Sequence, residues 1–380
     1  MTRFLSTRLA AFIFLFLFLA CAVSAQTAVP DCSTAASDRC YFSFAVAGPG
    51  RLHYYASRVP GTAPTDHPPV AALVALHGHP RDAGKTFNAA LLAVRRGGAL
   101  DTTVVVAPLF QVADADALRC SSPGLPAAQA GDLRWTCQSW VEGGAAIDNS
   151  LTSFEALDAL LAELARQWPS LRTVTIAGFS AGAQMVQHYI GFAAPARQSG
   201  GLALRYVVAD PGSWLYFDAV RPQPVLNGLP VDWSQCADTA SAAGQAKGCT
   251  LDFQPAADSC PTANRWKYGL QAIPARLLRA GRTPAQVRER YASADIRYLE
   301  GALDSSAAPG TFYKILDKSC AAQAQGPYRL QRGLAFAQYE RSFLAPSRER
   351  KLMVVPGCAH DVACVFPSAA AQPALLGSRP

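Results

Sequence analysis

Residues 173–192 constrain this chain most. Thr173–Gly178 is a short apolar run of strand type, Gly178-Phe179-Ser180-Ala181-Gly182 follows at once, and Ala181–Phe192 sets Met185, Tyr189 and Ile190 at helical spacing. A strand that enters a helix through G-x-S-x-G forces the serine onto a tight turn with a strained backbone. Side chains two positions to either side collide with that turn, so both are glycine. Such a turn belongs at the carboxyl edge of a sheet. There it lifts the Ser180 hydroxyl clear and sets it over the free amides of a helix N-terminus. The pentapeptide alone matches often by chance; between a strand and a helix it is specific.

The remaining pattern supplies a sheet for that turn. Arg51–Ser57 alternates like a strand. Val70–Leu76 and Thr102–Pro108 are unbroken apolar runs, as in strands buried on both faces. Leu151, Phe154, Leu157, Leu160, Leu161 and Leu164 recur at helical spacing, with Thr152-x-x-Glu155 as a capping box and Pro169 past the end. Leu204–Ala209, Ile296–Leu299 and Lys351–Val355 read as further strands, and Pro284–Ala292 and Tyr328–Phe343 as helices. Alternating strands and helices predict an α/β fold, a mainly parallel central sheet flanked by helices. From Pro211 to about residue 280 the rhythm breaks. This stretch is rich in Pro, Gly, Ala and Cys and carries Trp214, Trp233 and Trp266, and it is expected to be a disulfide-stapled, lid-like insertion.

Composition narrows the class. Half of the 380 residues are hydrophobic, enough for a large core, and only 16% are charged, against roughly 25% in average chains, which excludes a disordered polyelectrolyte. A formal charge of +7 comes without any Lys/Arg cluster, so no nucleic-acid partner is expected. The one long apolar run, Leu9–Val23, has 15 residues, short of the roughly 20 that span a bilayer. With Arg3 and Arg8 before it and Val23-Ser24-Ala25 after it, residues 1–25 are expected to be a cleaved export signal, leaving 26–380 as one secreted or periplasmic domain without stable membrane insertion. Of eleven cysteines, Cys21 leaves with the signal, and an even ten remain, the count expected of five disulfides. Pairing near neighbours gives Cys32–Cys40, Cys120–Cys137, Cys236–Cys249 and Cys358–Cys364, with Cys260–Cys320 left over, although spacing alone does not fix connectivity. No paired C-x-x-C knuckle is present, so no zinc site is expected.

A serine hydroxyl needs a base. Of the six histidines, His360 follows the last strand through Pro356-Gly357-Cys358-Ala359, where a returning loop can reach Ser180. His188 lies two turns into the helix after Ser180 and is expected to face a neighbouring helix or solvent. His77 is expected to be a buried structural residue. The orienting acid belongs between Ser180 and His360, after a strand, which leaves Asp304 and Asp210; Asp361, adjacent to His360, is expected to be a loop charge. Oxyanion donors are expected in the amides of Ala181 and of His79, in the turn His77-Gly78-His79-Pro80 after Val70–Leu76. Trp214 and Tyr216, past a strand end, are expected at the substrate or in the core of the insertion.

These segments (HG at 77–78, GFSAG at 178–182, LD at 303–304 and GCAHD at 357–361) resemble the α/β-hydrolase superfamily, over most of the chain after residue 25. Within it the chain is similar to secreted bacterial serine esterases and polyester depolymerases. The resemblance implies an α/β-hydrolase fold with the insertion after strand 6. It implies Ser180 as nucleophile, Asp304 as acid and His360 as base, and neither metal nor organic cofactor. Residues 209–216 resemble a segment of secreted hydrolases in which Asn often stands at position 210, which weakens Asp210 as the acid. The turn HGHP departs from the HGGG run of one lipase branch. The expected activity is hydrolysis of a small-molecule or polymeric carboxylic ester. The alternatives are a secreted peptidase or amidase, a polyhydroxyalkanoate-type depolymerase, and an inactive binding protein on the same fold.

Overall fold

Hydrophobic runs without polar alternation build the centre of the sheet. Ala71–Leu76 (β3) and Thr103–Leu109 (β4) are buried on both faces, as their composition requires. Around them stand Tyr41–Ala47 (β1), Gly50–Ala56 (β2), Thr173–Phe179 (β5), Ala203–Ala209 (β6), Asp295–Gly301 (β7) and Leu352–Val355 (β8). The order across the sheet is β1-β2-β4-β3-β5-β6-β7-β8. β2 runs antiparallel to both β1 and β4, and the pairings from β4 to β8 are parallel. The structure, a computed structural model, describes residues 31–47, 50–61, 67–194, 201–236 and 249–377. The expected export signal and its cleavage point lie outside them.

Helices cover both faces. Ala83–Arg96 (α1) packs Phe87, Leu91 and Val94 against Leu73, Val105 and Ala177 on one face. Ser153–Gln167 (α2) and Ala181–Ile190 (α3) pack Leu157, Leu160, Met185 and Tyr189 with Val74, Val106 and Ile176 on the other. The capping box at the start of α2 forms as expected: Thr152 Oγ1 accepts from the Glu155 amide, and the Glu155 carboxylate accepts from the Thr152 amide. Pro284–Ser293 (α4) and Arg329–Tyr339 (α5) follow.

The 211–280 stretch builds a small sheet of its own, with Val220–Leu226 between Leu229–Pro230 and Cys249–Pro255. Five disulfides form: Cys32–Cys40, Cys120–Cys137, Cys236–Cys249, Cys260–Cys320 and Cys358–Cys364. The fourth ties this stretch to the segment just before α5. Among the described residues, no helix is long and apolar enough to cross a membrane.

Candidate active site

Ser180 sits between β5 and α3 at φ +57°, ψ −119°, a conformation that L-residues avoid. Its amide donates to Ala209 O of β6 at 3.0 Å, which pins the turn to the neighbouring strand. The glycines are required by contact. A Cβ on Gly178 would lie 2.1 Å from Gly182 O, and one on Gly182 would lie 2.4 Å from Leu76 O at the end of β3. The turn is therefore wedged between its own helix and the adjacent strand end.

His360 reaches this serine from the loop after β8. Its Nε2 is 2.8 Å from Ser180 Oγ, and its Nδ1 is 2.8 Å from Asp304 Oδ2. A carboxylate only accepts, so Nδ1 carries the hydrogen and Nε2 is free to accept from the serine hydroxyl. The imidazole packs against Phe179 with ring centroids 4.8 Å apart, and its backbone amide donates to Gly310 O at 3.2 Å. Burial holds the His360 pKa below the ordinary histidine value, and the Arg329 cation acts the same way, with the Asp304 contact opposing both. The ring is therefore a free base at neutral pH.

Asp304 follows β7 and is buried with Arg329. The guanidinium Nη1 of Arg329 lies 3.2 Å from Asp304 Oδ1 and donates to Thr311 O at 2.7 Å. Asp210, the other candidate acid, ends β6 at φ +50°. Its Oδ1 accepts from the Gly301 amide at 2.7 Å, and it has no hydrogen bond to His360. Burial, and then the Asp304 charge, push the Asp210 pKa up to about 7, and burial beside Asp210 holds Glu300 well above the carboxylate range. Asp210, Asp304 and His360 present polar atoms within 4.8 Å of one another. Those of Asp304 and His360 are taken up by their mutual bond and by Arg329.

His77, His188 and His53 are engaged elsewhere. His77 is fully buried; its Nδ1 donates to Gly78 O at 2.9 Å and its Nε2 accepts from the Phe110 amide at 3.2 Å. Burial drops its pKa to about 3. His188 is buried rather than open to solvent, with Nδ1 bonded to Val141 O and its ring beside Trp266. His53 is paired with Asp132. Asp361 forms a half-exposed ion pair with Lys85.

Gly78 brings the 77–80 turn against the serine: a Cβ there would touch Ser180 Cβ at 3.5 Å. The amide of His79 follows Gly78, and the amide of Ala181 opens α3, where first-turn N–H groups have no intrahelical partner.

Trp214 and Tyr216 correct the expectation of substrate contact. Both are completely buried. Trp214 stacks on Phe336 at 4.4 Å, and Tyr216 lies edge-on to Phe336 and under the Arg221 guanidinium. They are core between the 211–280 stretch and α5.

Two solved structures are similar over most of their length. LpqC, a poly(3-hydroxybutyrate) depolymerase from Bordetella parapertussis, has 17% identity and a TM-score of 0.51, covering 87% of this chain and 85% of its own. Poly(aspartic acid) hydrolase-1 from Sphingomonas sp. KT-1 also has 17% identity and a TM-score of 0.51, covering 88% of this chain and 97% of its own. This chain has the α/β-hydrolase fold. No protein-family model matches the sequence, and neither does any curated protein. Within the α/β-hydrolase fold, the strand order and the turn after β5 put Ser180 at the carboxyl edge of the sheet, and the loops after β7 and β8 deliver Asp304 and His360 to it.

Arg329 is not legible in the sequence. A lone arginine at the start of a helix carries no signal until folding sets it against Asp304. The pairing of Asp210 with Glu300 was hidden for the same reason.

Proposed function

We propose that the protein is an exported serine hydrolase that cleaves carboxylic esters through an acyl-enzyme. The observation that carries this reading is the continuous hydrogen-bonded line Ser180–His360–Asp304, with 2.8 Å at each link. Ser180 Oγ attacks the ester carbonyl while its proton passes to His360 Nε2. Asp304 holds the ring in the tautomer that permits this and stabilises the imidazolium. The carbonyl oxygen becomes an oxyanion between the amides of His79 and Ala181. Collapse breaks the carbon–oxygen bond to the alcohol, and the proton on Nε2 goes to the departing oxygen. Water then attacks the acyl-Ser180, with His360 as base again.

Export is supported by residues 1–25 of the sequence and by the five disulfides, which persist in an oxidising compartment. Residues 211–280 serve in this reading as an insertion within one hydrolase domain. The similar structures are named for hydrolysis of a polyester and of a polyamide, so a polymeric substrate and an amide are the second readings.

The test is labelling with a fluorophosphonate probe together with turnover of short-chain esters and aminoacyl anilides. Ester turnover and an adduct on Ser180, both lost in a folded Ser180→Ala variant, are expected. Anilide turnover exceeding ester turnover reassigns the protein to amide hydrolysis. A folded protein with neither adduct nor turnover is a binding protein.

A further inference from the structure

Between Asp304 and the short helical turn Tyr313–Ile315, the chain lies along the His360 loop. Gly310 O accepts from the His360 amide, and Thr311 O accepts from the same Arg329 that pairs with Asp304. The orienting acid and this loop are thus fastened to one buried cation. The next residue, Phe312, has φ +49° and ψ +35°, in the left-handed region that a bulky side chain rarely adopts. Its ring stands edge-on to the His360 imidazole with centroids 6.1 Å apart, yet the residue is 55% exposed. Leu303 and Ile315 on the same loop are exposed too. Among the described residues, three of the eight exposed large apolar side chains fall within residues 303–315, and Phe312 among them touches His360. A strained, exposed phenylalanine held at a functional histidine is a conformation that packing alone does not explain.

The chemistry assigns this surface an occupant. The imidazole that accepts the Ser180 proton must return it to the departing oxygen, so the alcohol portion of the ester passes within hydrogen-bond reach of Nε2. We infer that Phe312, flanked by Leu303 and Ile315, forms a subsite for an apolar leaving alcohol, and that the protein selects esters by the alcohol they release. The inference rests on the ester-hydrolase reading above and extends it to the substrate class: esters of long-chain or aromatic alcohols, including an ester chain whose next unit occupies the leaving position.

Two substrate series separate the alternatives. One holds the acetyl group fixed and varies the alcohol through ethyl, butyl, hexyl and benzyl; the other holds ethanol fixed and varies the acyl chain from acetyl to hexanoyl. In the wild type, kcat/KM is expected to rise with alcohol size. In Phe312→Ser the hexyl-to-ethyl acetate ratio falls about tenfold, the scale of a few methylenes in an apolar pocket. The hexanoyl-to-acetyl ratio of the ethyl esters is expected to be kept. Phe312→Leu, which retains an apolar side chain, is expected to restore most of the alcohol ratio, and thermal melts with fluorophosphonate labelling establish that each variant is folded. Wild-type turnover with an unaltered alcohol ratio in Phe312→Ser, or a ratio lost equally in both series, overturns the subsite alone. Absence of wild-type turnover on both series overturns the ester reading and the subsite with it.

Discussion

Asp304 and Asp210 are the same residue type, both buried, at the ends of adjacent strands, and within reach of the same histidine. Their surroundings make them different chemical groups. Asp304 faces His360 Nδ1 and the Arg329 guanidinium, so its charge is compensated on both sides. Asp210 faces Glu300 and the Asp304 charge and has one amide bond from Gly301, so burial favours its protonated form. Position on the sheet offers two candidate acids; in the proposed triad, a cation and the direction of one imidazole favour Asp304.

Asparagine substitution gives the sharpest contrast. Asp304→Asn is expected to lower kcat by about 10⁴-fold, the scale for losing the orienting acid of such a triad, because the amide favours the wrong tautomer. Asp210→Asn keeps an oxygen for the Gly301 amide and is expected to retain most of the activity. Parallel single-turnover rates decide it, and the reverse ranking reassigns the acid.

Removing the cation tests what distinguishes the two acids. Arg329→Met leaves Asp304 without its buried partner and is expected to cost about 3–5 kcal/mol of stability. Arg329 also lowers the His360 pKa. Only the neutral imidazole accepts the serine proton, so activity falls as pH drops through that pKa. The wild-type acid limb of kcat/KM is expected below the ordinary histidine value of about 6.5, moving toward higher pH in Arg329→Met and staying in place in Arg329→Lys.

The disulfides make a second pair. Cys260–Cys320 closes a separation of 60 residues, whereas Cys358–Cys364 closes 6 around His360. Loop-closure entropy gives about 4 kcal/mol for the first and about 2 kcal/mol for the second. Serine pairs at 260 and 320 are expected to lower the melting temperature more, and serine pairs at 358 and 364 to lower kcat more. Equal effects on both readouts break this division.

The smallest effect expected concerns Asp210 and stability. Its folded pKa of about 7 stands above the ordinary aspartate value of about 3.9, so it favours the folded state at low pH and loses that contribution as pH rises through 7. Asp210→Asn is expected to raise the melting temperature relative to wild type at pH 8, by a few degrees for on the order of 1 kcal/mol, and by less at pH 5. A gain that does not depend on pH removes the titration argument.

Local sequence determined much of this protein. The turn at Ser180 is a short-range steric problem with one solution in glycine, and unbroken apolar runs such as Ala71–Leu76 declare strands buried on both faces. The capping box at Thr152 needs no distant partner, whereas spacing leaves the cysteine connectivity open. Other features were missed because their cause is not local. Tyr41–Ala47 lacks clean alternation and becomes a strand through its pairing with β2. The small sheet at Val220–Leu226 forms through pairing with a strand beyond residue 248. Only the tertiary structure decided that Trp214 and Tyr216 are core, because Phe336 covers them from more than a hundred residues away, and only it set Arg329 beside Asp304 and Phe312 beside His360. Burial and charge compensation belong to neighbours in space, and the sequence specifies those neighbours only once the chain has closed around them.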